Sequence, residues 1–306
     1  MSDNTVYLAL QAVLSPACRL LRDEPLARHT TLRVGGPADC YVEPASEEVL
    51  ARVLRVCAEH QIPVLVIGRG SNLLVRDGGI RGVVVSLSQP AFGHLEVRPP
   101  FLNAGVGLRL KNLAVTARQH GLAGLEFLEG IPGSLGGALR MNAGAMGASL
   151  FEVVKRVRFM DRGGRIEERE AGAIPVSYRD CAFLKDRIAL GATLQGPPDS
   201  PEAIGRRMDE YSEKRWASQP AAPSAGCIFK NPAAIPAGKL VDELGLKGTR
   251  LGGAVISDVH GNFMINTGNA TARDILQLIT LVRDRARAER GIELEPEVQI
   301  LGEESA

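Results

Sequence analysis

The feature that most restricts this chain is its density of glycine between Gly130 and Gly147. The stretch includes Gly130-Ile131-Pro132-Gly133-Ser134-Leu135-Gly136-Gly137 and continues to Asn142-Ala143-Gly144. Each glycine inside a helix or strand costs roughly 0.5–1 kcal/mol relative to alanine, because it gives up more backbone freedom and packs no side chain. So dense a run is uneconomical as a core element. It reads as backbone lying close against something flat or bulky, with a compact surface loop as the plain alternative.

A second cluster narrows the choice. Gly68-Arg69-Gly70-Ser71-Asn72 follows directly on Pro63-Val64-Leu65-Val66-Ile67, a short apolar run of the kind that forms a buried strand. Glycines placed there let successive N–H groups turn toward one point, a nest suited to a pyrophosphate. The spacing is not G-x-G-x-x-G, and Leu73-Leu74-Val75 opens no evident helix, so a Rossmann fingerprint is not supported. Alone, the motif is read equally well as a tight turn between strands. Beside the Gly130 stretch, a dinucleotide cofactor accounts for both.

Composition limits the partners. The formal net charge of +1 provides no broad field for nucleic acid or an anionic membrane, so any bound anion must be held by local groups. The N-terminal residues show neither a basic n-region nor a small-residue cleavage site, and no apolar run approaches the ~20 residues that span a bilayer. Cys18, Cys40, Cys57, Cys181 and Cys227 are scattered, with no C-x-x-C pair and no metal-ligand spacing. That pattern argues for a reducing compartment, the cytoplasm, and against zinc or disulfides.

At 306 residues the chain has room for two or three domains. An amphipathic stretch, Tyr7 to Leu21, leads to a turn-rich segment with Gly35-Gly36-Pro37. Ser46 before Glu47 and Glu48 marks a helix start, and Val49, Val53 and Cys57 recur at helical spacing. Gly82–Leu87 reads as a strand. The pattern predicts a helix over Leu108–His120, strands over Val153–Met160 and Ile188–Leu194, and a helix over Pro201–Arg215 that marks the crossing into a second region. That region holds a loop at Pro220–Pro232, a short helix near Gly238–Leu244, a strand at Asn262–Asn266, a long helix over Thr271–Arg290 and a last strand at Pro296–Leu301.

Further stretches join the two glycine clusters in order. They are His29-Thr30-Thr31-Leu32-Arg33-Val34-Gly35-Gly36-Pro37-Ala38-Asp39, Ser177-Tyr178-Arg179-Asp180, Ser224-Ala225-Gly226-Cys227-Ile228-Phe229-Lys230-Asn231-Pro232, Ala237-Gly238-Lys239-Leu240-Val241-Asp242, Leu251-Gly252-Gly253-Ala254, His260-Gly261-Asn262-Phe263, and Glu297-Val298 with Gly302. Each is weak alone. The ordered set resembles the UDP-N-acetylenolpyruvoylglucosamine reductase family over nearly the whole chain. The resemblance implies an α+β architecture: a two-subdomain FAD-binding fold of the PCMH type with a third, α+β substrate-binding domain. The implied boundaries are 1–88, 89–198 and 199–306, with the C-terminal strand returning to the active site. Between Arg179 and Cys227 there is room for one strand and one helix, which looks like the shorter subtype of the family. No tyrosine is assigned to stacking on the uridine.

The resemblance implies FAD and NADPH as cofactors and a nucleotide sugar as substrate, with no nucleic acid, membrane or obligate protein partner and no metal. FAD is expected against Gly68, Arg69, Gly70, Ser71, Asn72 and Leu73, and against Gly130, Ile131, Pro132, Ser134, Gly136, Gly137 and Asn142. A bulky residue at Gly70 is expected to enter the space of the pyrophosphate.

Reducing an enol ether of pyruvate adds hydride to the vinyl carbon and leaves negative charge on its neighbour and the carboxylate. A fixed cation, a second polar group and a proton donor are the minimum. Arg179 is the natural cation, because guanidinium stays charged and grips a carboxylate with a planar fork; a surface salt bridge is its ordinary alternative. Tyr178 is either a substrate hydrogen-bonding group or a core tyrosine. Taken alone, Glu297 is a solvated charge. In the resembled family a glutamate before valine near the end stabilises the enolate while protonated or hydrogen-bonded, and Glu295 is the neighbour with which it can be confused. Cys227 stands where most of the family has serine. Its thiol, with an ordinary pKa of about 8.5, still donates a proton at neutral pH, although a small buried cysteine is the common alternative. Lys230 and Asn231 are substrate-binding candidates, with Lys239 and His260 weaker ones. His29 is noted because some flavoproteins of related fold attach FAD to histidine, whereas the resembled family holds it non-covalently. Two other readings stay open: a flavin oxidase acting on an alcohol or sugar, and a nucleotide-binding protein without catalysis.

Overall fold

Short β-branched and aliphatic runs seed the first of two units. Val64–Ile67 and Ile80–Ser86 pair in parallel, from Val64 opposite Val83 to Ile67 opposite Ser86. They belong to a four-stranded sheet in the order Arg19–Pro25, Pro37–Glu43, Ile80–Ser86, Val64–Ile67. Helix Glu47–Glu59 starts where the Ser46 hydroxyl accepts the Val49 N–H, and it buries Val49, Leu50, Val53, Leu54 and Cys57 along one stripe. Burial, with Cys40 as a second cause, pushes the Cys57 thiol up to about 12. A five-stranded antiparallel sheet follows in the order Ile166–Glu170, Val154–Met160, Ile188–Gln195, Phe101–Gly105, Leu95–Arg98. Helix Leu110–Gln119 adds Leu110, Leu113, Ala114 and Ala117 to the same apolar core.

The computed structural model describes residues 3–305. The first unit takes in Met1–Arg22, Cys40–Gly68 and Gly82–Lys214, and the second Asp23–Asp39, Arg69–Arg81 and Arg215–Ala306.

The second unit is organised on an antiparallel sheet in the order Ser224–Cys227, Phe263–Asn266, Ala254–Ile256, Arg250–Leu251. Helix Ala272–Arg290 buries Ala272, Ile275, Leu278, Ile279, Val282 and Ala286. Thr271 and Asp274 form a capping box at its start, and the Asp77 carboxylate accepts the Ala272 and Arg273 N–H groups at 2.8 and 3.0 Å. Gly291, at φ 63°, ends it. The last strand, Gln299–Leu301, pairs in parallel with Leu73–Val75.

The expected helices over Leu108–His120, Pro201–Arg215, Gly238–Leu244 and Thr271–Arg290 are present within a few residues, whereas Leu135–Arg140 and Leu150–Val153 were not expected. The run from Tyr7 to Leu21 splits into helix Asp3–Val13 and the start of strand Arg19–Pro25. The stretch from Gly130 is not loop throughout: Leu135–Arg140 is a short helix with Leu135, Ala138 and Leu139 buried. No helix among the described residues is long and apolar enough to cross a membrane.

Candidate active site

In the first unit, Gly68 follows the strand Val64–Ile67, and a Cβ on it would lie 2.8 Å from the Ser134 hydroxyl. Ser134 is buried at the N-cap of helix Leu135–Arg140, and its side chain makes no capping bond. On that helix, the Cβ position of Gly137 has no heavy atom within 4 Å. Gly68, Ser134 and Gly137 therefore present bare backbone and a hydroxyl, a surface that fits the pyrophosphate of a dinucleotide. Gly136 is glycine for another reason, since its Cβ would press to 3.0 Å on Val106. Ile131 packs partly against the core, Gly130 is half-buried and Pro132 exposed.

The Arg179 turn belongs to the same unit. Ser177 N–H donates to the Asp180 carbonyl at 2.9 Å, and Asp180 N–H donates back to Ser177 at 3.3 Å. Arg179 sits at φ 58°, a left-handed conformation uncommon outside glycine. Its guanidinium carbon lies 5.0 Å from the centre of the Tyr178 ring. Tyr178 is 54% exposed, which removes the core reading of that side chain. Arg140 Nη1 meets Asp180 Oδ1 at 2.6 Å and holds that carboxyl below the usual range. Asn142, buried, donates through Nδ2 to the Ser177 carbonyl at 3.2 Å.

In the second unit, Gly70 has φ 63°, and a Cβ there would lie 2.1 Å from the His29 carbonyl oxygen. A side chain at position 70 thus meets the chain's own backbone. Thr31 N–H donates to the Gly70 carbonyl at 3.2 Å, and its hydroxyl donates to the Ser224 carbonyl at 2.7 Å. Arg69 is exposed, and Ser71, Asn72 and Leu73 are half-buried.

From Asn72 a backbone ladder leads to the other candidates. Its Nδ2 donates to the Glu297 carbonyl at 3.1 Å, and its own carbonyl accepts Gln299 N–H at 3.0 Å. Glu297 N–H donates to the Ile228 carbonyl at 2.7 Å, and Val298 N–H reaches the same oxygen at 3.3 Å. Ile228 follows Cys227, so Asn72, Cys227 and Glu297 come onto neighbouring rungs. Cys227 and Glu297 are both half-buried, neither sealed in the core. Lys230 Nζ meets Glu295 Oε1 at 2.6 Å, which separates the partner of the lysine from Glu297. Asn231 accepts the Ala237 N–H at 3.0 Å and so helps start helix Ala237–Glu243.

The weaker candidates have structural employment. His29 Nε2 lies 2.9 Å from buried Glu24. His260 stands over Gly238, where a Cβ would come within 2.7 Å of its ring, and burial with Lys247 nearby lowers its pKa. Lys239 pairs with Glu243 at 3.8 Å. Asn262, left without a role by sequence reasoning, is 2% exposed and clamps Phe229: it accepts that residue's N–H at 2.9 Å and donates to its carbonyl at 2.8 Å. Its place in His260-Gly261-Asn262-Phe263 was the available signal.

The family model described as FAD binding domain matches residues 38–169. That described as UDP-N-acetylenolpyruvoylglucosamine reductase, C-terminal domain, matches residues 219–301. The UDP-N-acetylenolpyruvoylglucosamine reductase of Geobacter metallireducens is 44% identical over 303 residues, covering 99% of this chain and 100% of that protein. The chain belongs to the UDP-N-acetylenolpyruvoylglucosamine reductase family. The Bacillus subtilis reductase is 42% identical over 287 residues, 93% of this chain and 94% of that one. The crystal structure of the Thermus caldophilus reductase superposes with a TM-score of 0.81 at 35% identity, covering 92% of this chain and 98% of that one. A Phl p 4 variant described as a glucose oxidase, 14% identical with a TM-score of 0.51 over 73% of this chain and 51% of that one, shares the fold alone. The protein is an FAD-dependent oxidoreductase of the reductase family, with the α+β, PCMH-type FAD-binding fold.

Proposed function

We propose that this protein reduces UDP-N-acetylglucosamine enolpyruvate to UDP-N-acetylmuramate, using FAD and NADPH, in peptidoglycan precursor synthesis in the cytoplasm. The observation that carries the reading is the ladder of the second unit. Glu297 N–H reaches the Ile228 carbonyl at 2.7 Å, which brings the backbone of Glu297 against the residue that follows Cys227. The domain plan proposed with it has FAD-binding subdomains at 1–88 and 89–198 and a substrate domain at 199–306 whose last strand returns to the active site.

When bound, FAD supplies a hydride equivalent drawn from NADPH. Gly68, Ser134 and Gly137 would lie along it, with Arg69, Gly70, Ser71, Asn72, Leu73, Gly130, Ile131, Pro132, Gly136 and Asn142 in the surrounding loops. Hydride addition to the vinyl carbon leaves an electron pair on the adjacent carbon, spread into its carboxylate. Arg179 balances that charge with a planar fork. Cys227 delivers the one proton that completes the product, and its thiolate recovers a proton from solvent. Glu297, protonated or hydrogen-bonded, supports the enolate; an ionised carboxylate would oppose it. Tyr178 hydrogen-bonds the substrate beside Arg179, and Lys230 and Asn231 take its diphosphate or sugar.

The test is NADPH oxidation by the FAD-loaded protein with and without UDP-N-acetylglucosamine enolpyruvate. Oxidation that depends on this compound and yields UDP-N-acetylmuramate supports the proposal. Oxygen uptake on an alcohol or sugar without NADPH would replace it with the oxidase reading.

A further inference from the structure

We infer that Arg140 and Asn142 are positioning residues that hold Arg179 in its left-handed conformation and tie its guanidinium to the glycine-rich stretch. The role of Arg179 in reduction rests on the function proposed above; the grip on its backbone rests on geometry alone. An arginine at φ 58° persists only where its surroundings over-determine it.

Both ends of the four-residue turn are gripped from one short segment. At the entry, Asn142 Nδ2 donates to the Ser177 carbonyl at 3.2 Å, while its Oδ1 accepts Phe151 N–H at 3.2 Å. The amide is thereby fixed in one orientation from both sides. At the exit, Cys181 N–H donates to the Arg140 carbonyl at 3.0 Å, and Arg140 Nη1 donates to Asp180 Oδ1 at 2.6 Å and to the Cys181 carbonyl at 3.5 Å. Lys185 Nζ adds a second cation 3.6 Å from Asp180 Oδ2. Arg179 lies between these two anchors. The same segment continues to Gly144, where a Cβ would meet the Ala148 carbonyl oxygen first and would also come within 3.0 Å of Arg179 Nη1, so the guanidinium lies against this backbone. The glycine-rich stretch therefore has a second use, as the seat of the arginine.

Arg140 closes helix Leu135–Arg140, on which Gly137 faces open space. Any shift of that helix is passed to the Arg179 turn through a charge-assisted hydrogen bond, among the stiffer contacts available to side chains.

The experiment uses the FAD-loaded enzyme with Arg140→Ala, Arg140→Lys and Asp180→Asn. Each is reduced by NADPH and mixed with UDP-N-acetylglucosamine enolpyruvate in rapid-mixing single turnovers, and Arg140→Ala is also crystallised. Arg140→Ala and Asp180→Asn are expected to slow reoxidation at saturating substrate by about 10- to 100-fold, the scale of a misplaced catalytic group. Flavin content and the rate of flavin reduction by NADPH stay as in wild type. Arg140→Lys, which keeps the charge, recovers much of the loss, and in the Arg140→Ala crystals residue 179 leaves positive φ.

A left-handed residue 179 in those crystals, together with wild-type reoxidation, overturns the inference. So does equal damage to both half-reactions together with loss of flavin, which would make Arg140 a general fold residue. If Arg140→Ala does not fold, Asp180→Asn, which keeps size and shape, carries both measurements. If wild-type enzyme is not reoxidised by this substrate, the proposed function fails, and the backbone of residue 179 in the variant still decides the positioning.

Discussion

One methyl group added at Gly137 or at Gly70 separates backbone that faces a ligand from backbone that faces the chain itself. Gly137 lies within helix Leu135–Arg140, and its Cβ position meets no heavy atom within 4 Å. Alanine there introduces no clash, and helix propensity favours it by about 0.8–1 kcal/mol. The stability of the FAD-free protein should therefore hold or rise slightly. If FAD lies against this backbone, the methyl overpacks the contact at about 1–3 kcal/mol, a weakening of FAD affinity by roughly 5- to 150-fold. At Gly70 the order is reversed. Its φ is 63°, and the added Cβ would stand 2.1 Å from the His29 carbonyl oxygen. The left-handed conformation costs an L-residue about 1–2 kcal/mol and the overpacking about 1–3, so about 2–5 kcal/mol is lost from a total near 5–15. Urea denaturation of the FAD-free variants measures stability, and titration with FAD measures affinity. Wild-type affinity in Gly137→Ala would refute the placement of FAD on that helix. A wild-type urea midpoint in Gly70→Ala would refute the packing account.

Cys227→Ala is expected to accept hydride from NADPH at a near-normal rate and to lose about 10²–10⁴-fold in product formation, the usual worth of a general acid, with Cys227→Ser recovering much of it. Equal loss in both half-reactions would make Cys227 a packing residue. Arg179→Lys keeps the charge but not the planar fork, and Glu297→Gln keeps the shape but not the acid. Both should slow reoxidation by substrate in single turnover, and a wild-type rate in either removes that residue from the mechanism. Arg140 holds the Asp180 carboxyl below its usual range, so the stability this contributes is complete above the unfolded value of about 4 and is lost as pH falls through the folded value. Asp180→Asn should therefore lower the urea midpoint at neutral pH, with the gap to wild type closing as pH drops below that range; a gap constant through the acid limb would exclude the linkage.

Local periodicity made the helices legible, because a buried stripe such as Val49, Val53 and Cys57 is written in the order of the residues. Strands set by distant pairing were harder. Pro37–Glu43 hides behind Gly35-Gly36-Pro37, which by itself is turn chemistry, and the charged run Ile166–Glu170 reads as a solvated segment although it pairs with Val154–Met160. Ser224–Cys227 lies inside what reads as a loop bounded by prolines, and it becomes a strand by pairing with Phe263–Asn266. The glycine clusters were visible, but their separate reasons were not. Spacing cannot tell Gly70, closed off by His29, from Gly137, which is open, because the deciding atoms are remote in sequence. Arg140 carries no signal inside the glycine-rich stretch, and only the structure sets it at the end of a short helix and gives it Asp180.

The same reasoning explains how residue 227 is placed. Residue 227 is paired opposite Phe263, with the register shifting between Ser224 and Cys227. Gly226 occupies that irregularity at φ 74°, with open space around its Cβ position. Such a bulge re-aims the side chain that follows it, so the direction of residue 227 is set by the glycine before it. The chain beyond is fixed just as firmly without side chain 227. Ile228 N–H donates to the Asn262 carbonyl at 2.9 Å, its carbonyl receives Glu297 N–H at 2.7 Å, and Asn262 clamps Phe229 on both polar groups. Exchanging oxygen for sulfur at 227 therefore alters the acidity of the donor while leaving the ladder that registers it against Glu297 intact. That is why Cys227→Ser should restore chemistry, whereas a side chain at Gly226, by redirecting residue 227, should not.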